Sequence, residues 1–194
     1  MNRDERSAYL RELRPYLIAS IIFFAIGGAI GAAVATRYPG LADQFGDSVA
    51  GFLKSFRNLP KPQLAAAIFL NNSVKTLAAI LLGLAIGIVP ALFLIVNGVV
   101  LGVVFVLSSY SRGIWPSLLS IVPHGILELS AVFLGTATGL LLGNVVLKRI
   151  LRKSDAELRP ALSRALRFYA IVILPMLLVA AMIEAFITTV IIGA

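Results

Sequence analysis

Asn71, Asn72, Lys75, Asn97, His124, Glu128 and Glu184 are polar or ionisable side chains set inside stretches of apolar and small residues. Asn71 and Lys75 are four apart, as are His124 and Glu128, so each pair shares one face of a helix. An imidazole, carboxylates and an ammonium in water-poor surroundings can pass a proton, hold an ion, or pair with one another. One lysine cannot neutralise two carboxylates. The economical arrangement pairs Lys75 with Glu128 or Glu184 while the asparagines and His124 satisfy the remaining lone pairs. A protonated glutamate, a cation or a charged His124 then completes the balance.

Catalysis fits this set less well. A metal hydrolase usually takes three protein ligands, and the sequence has no HExxH or related spacing. Ser73, Ser130 and Thr136 lie near the polar residues, yet no third group is spaced to activate one as a nucleophile. The sequence therefore predicts no catalytic residue, no metal and no cofactor.

The surroundings decide which chemistry is open. Of 194 residues, 59% are hydrophobic and 13% charged, with a mean hydropathy of +0.97. A soluble domain carries about 25% charged residues, so the composition is that of a membrane protein. The absence of cysteine removes disulfide and thiolate chemistry. A net charge of +8 raises nucleic acid as a partner, but the basic residues sit at the ends of apolar runs, as membrane topology requires. The expected partner is the lipid bilayer, and no nucleic acid is expected.

A span needs about 20 apolar residues. Residues 17–36 form one, too long for the roughly 7–15 residues of a signal-peptide core, and are read as an uncleaved helix. Residues 76–111 carry no charge and exceed one span. Gly87 and Pro90 supply a break, since proline removes a helix hydrogen bond and disfavours helix before it. The resulting helices cover 64–88 and 91–109. Two more cover 123–147 and 168–192, with residues 116–122 as a helical or re-entrant lead-in. The expectation is one all-α membrane domain over residues 1–194, a polytopic bundle of about five spans. Between spans, Leu41, Phe45, Val49, Phe52, Leu53 and Phe56 recur at helical spacing. Residues 41–57 thus read as an extracytoplasmic amphipathic helix lying on the outer surface.

Charge sets the orientation. Arg3, Arg6, Arg11 and Arg14 fall on the same side as Lys148, Arg149, Arg152, Lys153, Arg159, Arg164 and Arg167 of a basic 148–167 loop. Arg37, Lys54, Arg57, Lys61 and Arg112 fall opposite. The positive-inside rule places the amino terminus in the cytoplasm and the carboxy terminus outside. Ser154 to Glu157 match a capping box, which Pro160 soon interrupts. Glycines recur four apart at Gly27 and Gly31, Gly83 and Gly87, Gly98 and Gly102, and Gly135, Gly139 and Gly143. Close backbone approach supplies packing in lipid, either within one bundle or along a homodimer seam.

Three stretches carry a resemblance: IFLNNSVKTL at 68–77, IVNGVVLGVV at 95–104 and PHGILELSAVFLGTATGLLLG at 123–143. An asparagine pair, an NG-x-x-x-G segment and a Pro-His-Gly-x-x-Glu helix opening, in that order, resemble the stage II sporulation protein M family over about residues 62–147. The resemblance implies a multi-pass membrane protein of about five spans. In endospore formers it implies a place in an engulfment complex beside peptidoglycan-degrading enzymes, without being the hydrolase. Lys75 and Glu184 are not part of the family pattern. The leading expectation is a non-enzymatic, homodimeric scaffold or membrane-remodelling partner with a further cell-envelope companion. The alternative is a small transporter or channel moving a proton, ion or solute through the polar cluster. A water-filled cavity reaching Glu128 favours transport, and a dry, closed cluster favours the scaffold.

Overall fold

A computed structural model describes residues 1, 3–57, 59–153 and 157–188, with side chains described except at 49, 50, 52–57, 119–125, 187 and 188. Helix α1 runs Arg3–Arg37, well before the apolar run begins. Its polar leader is helical because it has something to pack on. Tyr9 and Leu13 are buried, the Tyr9 and Phe168 rings meet edge to face at 4.9 Å, and Arg164 pairs with Glu12 at 3.0 Å. Further along, Ile18, Ile22, Ile26 and Ile30 form an exposed stripe, the face such a helix turns to acyl chains.

Helix α2, Pro39–Arg57, follows after one residue and matches the expected amphipathic segment. Ala42 is buried with Ala35 and Val103, while Leu41 and Phe45 are exposed. Val49, Phe52, Leu53 and Phe56 of the predicted stripe lie outside the described side chains.

Helices α3, Lys61–Leu82, and α4, Ile88–Arg112, are divided by a turn at 83–87. The second span therefore ends earlier than the predicted residue 88, and the third starts earlier than 91. Glycine, not proline, makes the break. Gly87 has φ +78°, a left-handed conformation that costs glycine little. Pro90 lies in the first turn of α4, where its missing N–H has no helical partner to lose. Ile86 shares the turn with φ +49°, an unusual conformation for a β-branched residue.

Helix α5 runs unbroken from Ile114 to Ile150, so the lead-in at 116–122 is helical and not re-entrant. Gly113 alone joins it to α4, with φ +87°. Helix α6, Leu158–Phe168, continues through a π-helical turn at Tyr169–Ile173 into α7, Leu174–Ile183, and a second π turn at Glu184–Thr188. The last span thus begins about ten residues before 168, and much of the supposed 148–167 loop is helix. Ser154 to Ala156 of the predicted capping box lie outside the described residues. Glu157 is the N-cap residue without a side-chain cap bond. Pro160 sits in the first turn and interrupts nothing. The first π turn precedes Pro175, whose ring and missing N–H would conflict with an ordinary α turn there.

Among the described residues, five helices are long and apolar enough to cross a membrane. They form a multi-pass membrane protein. α5 is the central helix, touching α1, α3, α4 and α7, while α4 lies chiefly along α1. The register comes from glycine. A Cβ at Gly27 or Gly31 would stand 2.2 Å from the Ile95 or Val99 carbonyl oxygen, and one at Gly98 or Gly102 equally near Phe24 or Gly28. On the other flank Gly83 meets Gly139, Gly135 meets Thr76, and Gly143 meets Gly87. All nine glycines singled out in the sequence are used within the chain, at contacts where backbone approach replaces hydrophobic drive.

Candidate functional site

The contacts of Thr76 with Gly135 and of Gly139 with Ala79 fix α3 against α5 in parallel register. One turn further out, that register brings Asn72 opposite Glu128. The Asn72 amide donates to a Glu128 carboxylate oxygen at 2.9 Å, between residues 56 apart in sequence. The Asn71 side-chain amide donates to Oδ1 of Asn72 at 3.2 Å, which holds the amide pair in line. The asparagine–glutamate contact expected from the sequence is therefore formed.

The ion pair is not. Among the described residues, Lys75 is beyond ion-pair distance of both Glu128 and Glu184; the two ion pairs present are Arg164–Glu12 and Met1–Glu5. The reason is rotational. Asn72 is half-buried and faces α5, whereas Asn71 and Lys75 are exposed on the neighbouring face of α3. A residue cannot share Asn71's face and also replace Asn72 as the donor to α5.

Glu184 belongs to another level. Tyr169 donates to the Ser73 carbonyl at 3.0 Å, and Glu184 stands 15 positions (184 − 169) further on, roughly 20 Å along a helix. The helix carrying it runs antiparallel to α3, so Glu184 lies towards the Lys61 end. There it is half-buried where its π turn touches α3 and α5. The structure brings Asn71, Asn72, Lys75, Asn97 and Glu128 together and leaves Glu184 out. The backbone of His124 is in α5, and its side chain lies outside the described residues.

These five residues line a cavity of about 550 Å³ between α3, α4 and α5. Asn71, Asn72, Lys75 and Thr76 come from α3, and Glu128 and Val132 from α5; Phe93, Asn97 and Val100 come from α4, and Ser48 of α2 reaches it from above. Asn71, Lys75 and Asn97 are all exposed, so the cavity opens outwards. It exists because α3 and α4 part after their shared turn. α4 follows α1, α3 follows α5 and α7, and the wedge between them stays unfilled. Asn97 donates to the Phe93 carbonyl at 2.6 Å, which steadies its side chain at the rim. The volume falls in the 300–1,000 Å³ range of small-molecule pockets.

Sequence reasoning missed Ser48 and Thr76. Ser48 carries no signal of its own, because only the fold of α2 over the bundle brings it there. It also missed two polar contacts between α1 and α5 on the far side of the bundle: Asn144 donates to the Tyr16 hydroxyl, and Thr136 donates to Ser20 at 3.4 Å. Asn144 follows Gly143 but points from a neighbouring face of α5 towards α1, so the glycine spacing gave no signal for it.

An all-helical, multi-pass membrane protein with a polar cavity between three of its long apolar helices is the class that fold and site define. A family model for Stage II sporulation protein M matches residues 20–189. The chain belongs to that family. No curated protein and no solved structure matches it.

Proposed function

We propose that the protein is a non-enzymatic membrane protein that admits a small polar or charged solute to the α3–α4–α5 cavity, as a transporter, channel or binding protein. One observation carries this reading: an open cavity of about 550 Å³ reaches Glu128 and is shared by Lys75. An unpaired charge at the bilayer centre costs about 2.5–3.5 kcal/mol on insertion scales. Lys75 lies within a membrane helix, and among the described residues no carboxylate is in ion-pair contact with it. A wet cavity meets that cost where a dry, closed knot would not. The glutamate and amides offer acceptors and donors for a solute without further rearrangement.

The experiment is solute and proton flux in proteoliposomes, compared between wild type and Glu128→Gln. Flux in the wild type, reduced tenfold or more in the variant, is expected. The chain has no cysteine, so Asn97→Cys gives a second measurement without background. A membrane-impermeant thiol reagent should modify it from outside intact cells. Absence of both flux and modification would remove this reading.

A scaffold role has its own support in α2, whose Leu41 and Phe45 are exposed. In that role the helix lies in the membrane surface or against a cell-envelope partner. The charge distribution favours a cytoplasmic amino terminus and an outer carboxy terminus. A homodimer would need a face other than the glycines, which the chain's own helices occupy.

A further inference from the structure

We infer that the cavity takes a zwitterion, an ammonium and an anionic oxygen group joined by a few bonds, as in phosphoethanolamine or the headgroup of phosphatidylethanolamine. The inference rests on the cavity being solute-accessible, as proposed above, and adds the class of ligand.

Three observations lead to it. First, the cavity presents both signs of charge without letting them meet. Lys75 and Glu128 both line it, yet no ion pair joins them. A ligand of one charge would satisfy one wall and face repulsion from the other. A ligand carrying both charges satisfies both. Second, each wall has neutral groups that complete the recognition. Asn71 lies one turn from Lys75, so an oxyacid near the ammonium finds an amide donor as well. Glu128 accepts from Asn72 at 2.9 Å, and a carboxylate has about four acceptor positions, so a ligand ammonium can join its protein partners. Asn97 closes the third side, its amide tethered to the Phe93 carbonyl and its carbonyl oxygen available as an acceptor.

Third, the rim borders lipid. Leu70 and Val74 flank Asn71 and Lys75 on α3, Leu92 and Val96 precede Asn97 on α4, and all four apolar side chains are more than half exposed. Polar rim and acyl-facing surface are thus adjacent on both helices. A headgroup can enter while its chains stay in the bilayer, and a free zwitterion can enter from the outer aqueous side. Both sources present the same chemistry to Lys75 and Glu128.

The test uses the full-length protein purified in detergent and in nanodiscs. Binding is measured by thermal shift and native mass spectrometry for phosphoethanolamine, ethanolamine and inorganic phosphate. Phosphatidylethanolamine and phosphatidylglycerol nanodiscs form the lipid arm. Phosphoethanolamine, phosphatidylethanolamine or both should bind at least tenfold more tightly than either single-charge probe or phosphatidylglycerol. Lys75→Gln and Glu128→Gln should each weaken that binding tenfold or more. Binding by phosphatidylethanolamine alone assigns a lipid source, and binding by the free compound as well assigns a soluble one. The wild-type probe series stands even if a variant does not fold. Equal binding of phosphate and phosphoethanolamine would overturn the zwitterion, as would loss of affinity in only one variant. Binding of no probe, with Asn97→Cys still modified from outside, would overturn it and leave the accessible cavity standing. No binding and no modification would remove both.

Discussion

Asn72 takes the Glu128 carboxylate at 2.9 Å although a lysine stands three residues away. Neutral donation avoids desolvating a second charge, a penalty that often cancels the gain from a buried ion pair. Truncating the donor should be costly, because the bond ties α3 to α5 and a typical intramolecular hydrogen bond contributes about 0.5–1.5 kcal/mol net. Asn72→Leu is thus expected to lower the midpoint of thermal unfolding in detergent, with an unchanged midpoint counting against the bond. The double variant with Glu128→Gln should recover part of the loss. Its coupling energy should fall near the values measured for membrane helices, about 0.6 kcal/mol on average and about 1.7 at most. At this scale the sequence exposed the participants but mispaired one. The i, i+4 spacing put Asn71 with Lys75, and only the rotation of α3 against α5 decided that Asn72 would be the inward donor.

Elements meet through glycine. At Gly31 a Cβ would stand 2.2 Å from the Val99 carbonyl oxygen, whereas at Gly40 nothing lies within 4 Å. Backbone cannot yield as a flexible side chain can. Gly31→Val should separate α1 from α4, costing about 1–3 kcal/mol or more and lowering the yield of folded monomer by fluorescence-detected size exclusion. Gly40→Ala, inside helix α2, should be neutral or stabilising by up to about 1 kcal/mol. Equal behaviour of the two would mean the glycine contacts do not hold the bundle. Proline has a smaller part than its spacing suggests. Pro90, Pro116 and Pro160 all fall in first turns, and Pro175 follows a π turn.

For the whole molecule, the contacts of Tyr9 with Phe168 and of Glu12 with Arg164 set the leader of α1 beside α6. The basic residues of both therefore gather at one end. The positive-inside rule leads us to propose that this end faces the cytoplasm. Single cysteines test the orientation. Ser111→Cys, exposed at the end of α4 away from the basic end, should react with an impermeant thiol reagent in intact cells. Lys153→Cys, after α5, should react only once the membrane is opened. The reverse pattern would invert the topology and place the cavity mouth on the cytoplasmic side.

Span number, helix class, the amphipathic helix α2 and the family all follow from local sequence. Length of apolar runs, charge at their ends and the asparagine, NG-x-x-x-G and PHG-x-x-E stretches are properties of neighbours along the chain. Helix ends were less legible, as the leader of α1 and the start of α6 show. Both are polar segments made helical by docking on each other, and docking is not written in either alone. The cavity was not legible either. Its volume is the gap left when α4 follows α1 and α3 follows α5, a choice made by glycine contacts between residues far apart in sequence. One chain of polar residues thus became an inward hydrogen bond at Asn72, an outward ammonium at Lys75 and a distant carboxylate at Glu184. Helix rotation and register act across the bundle, where sequence spacing carries no information.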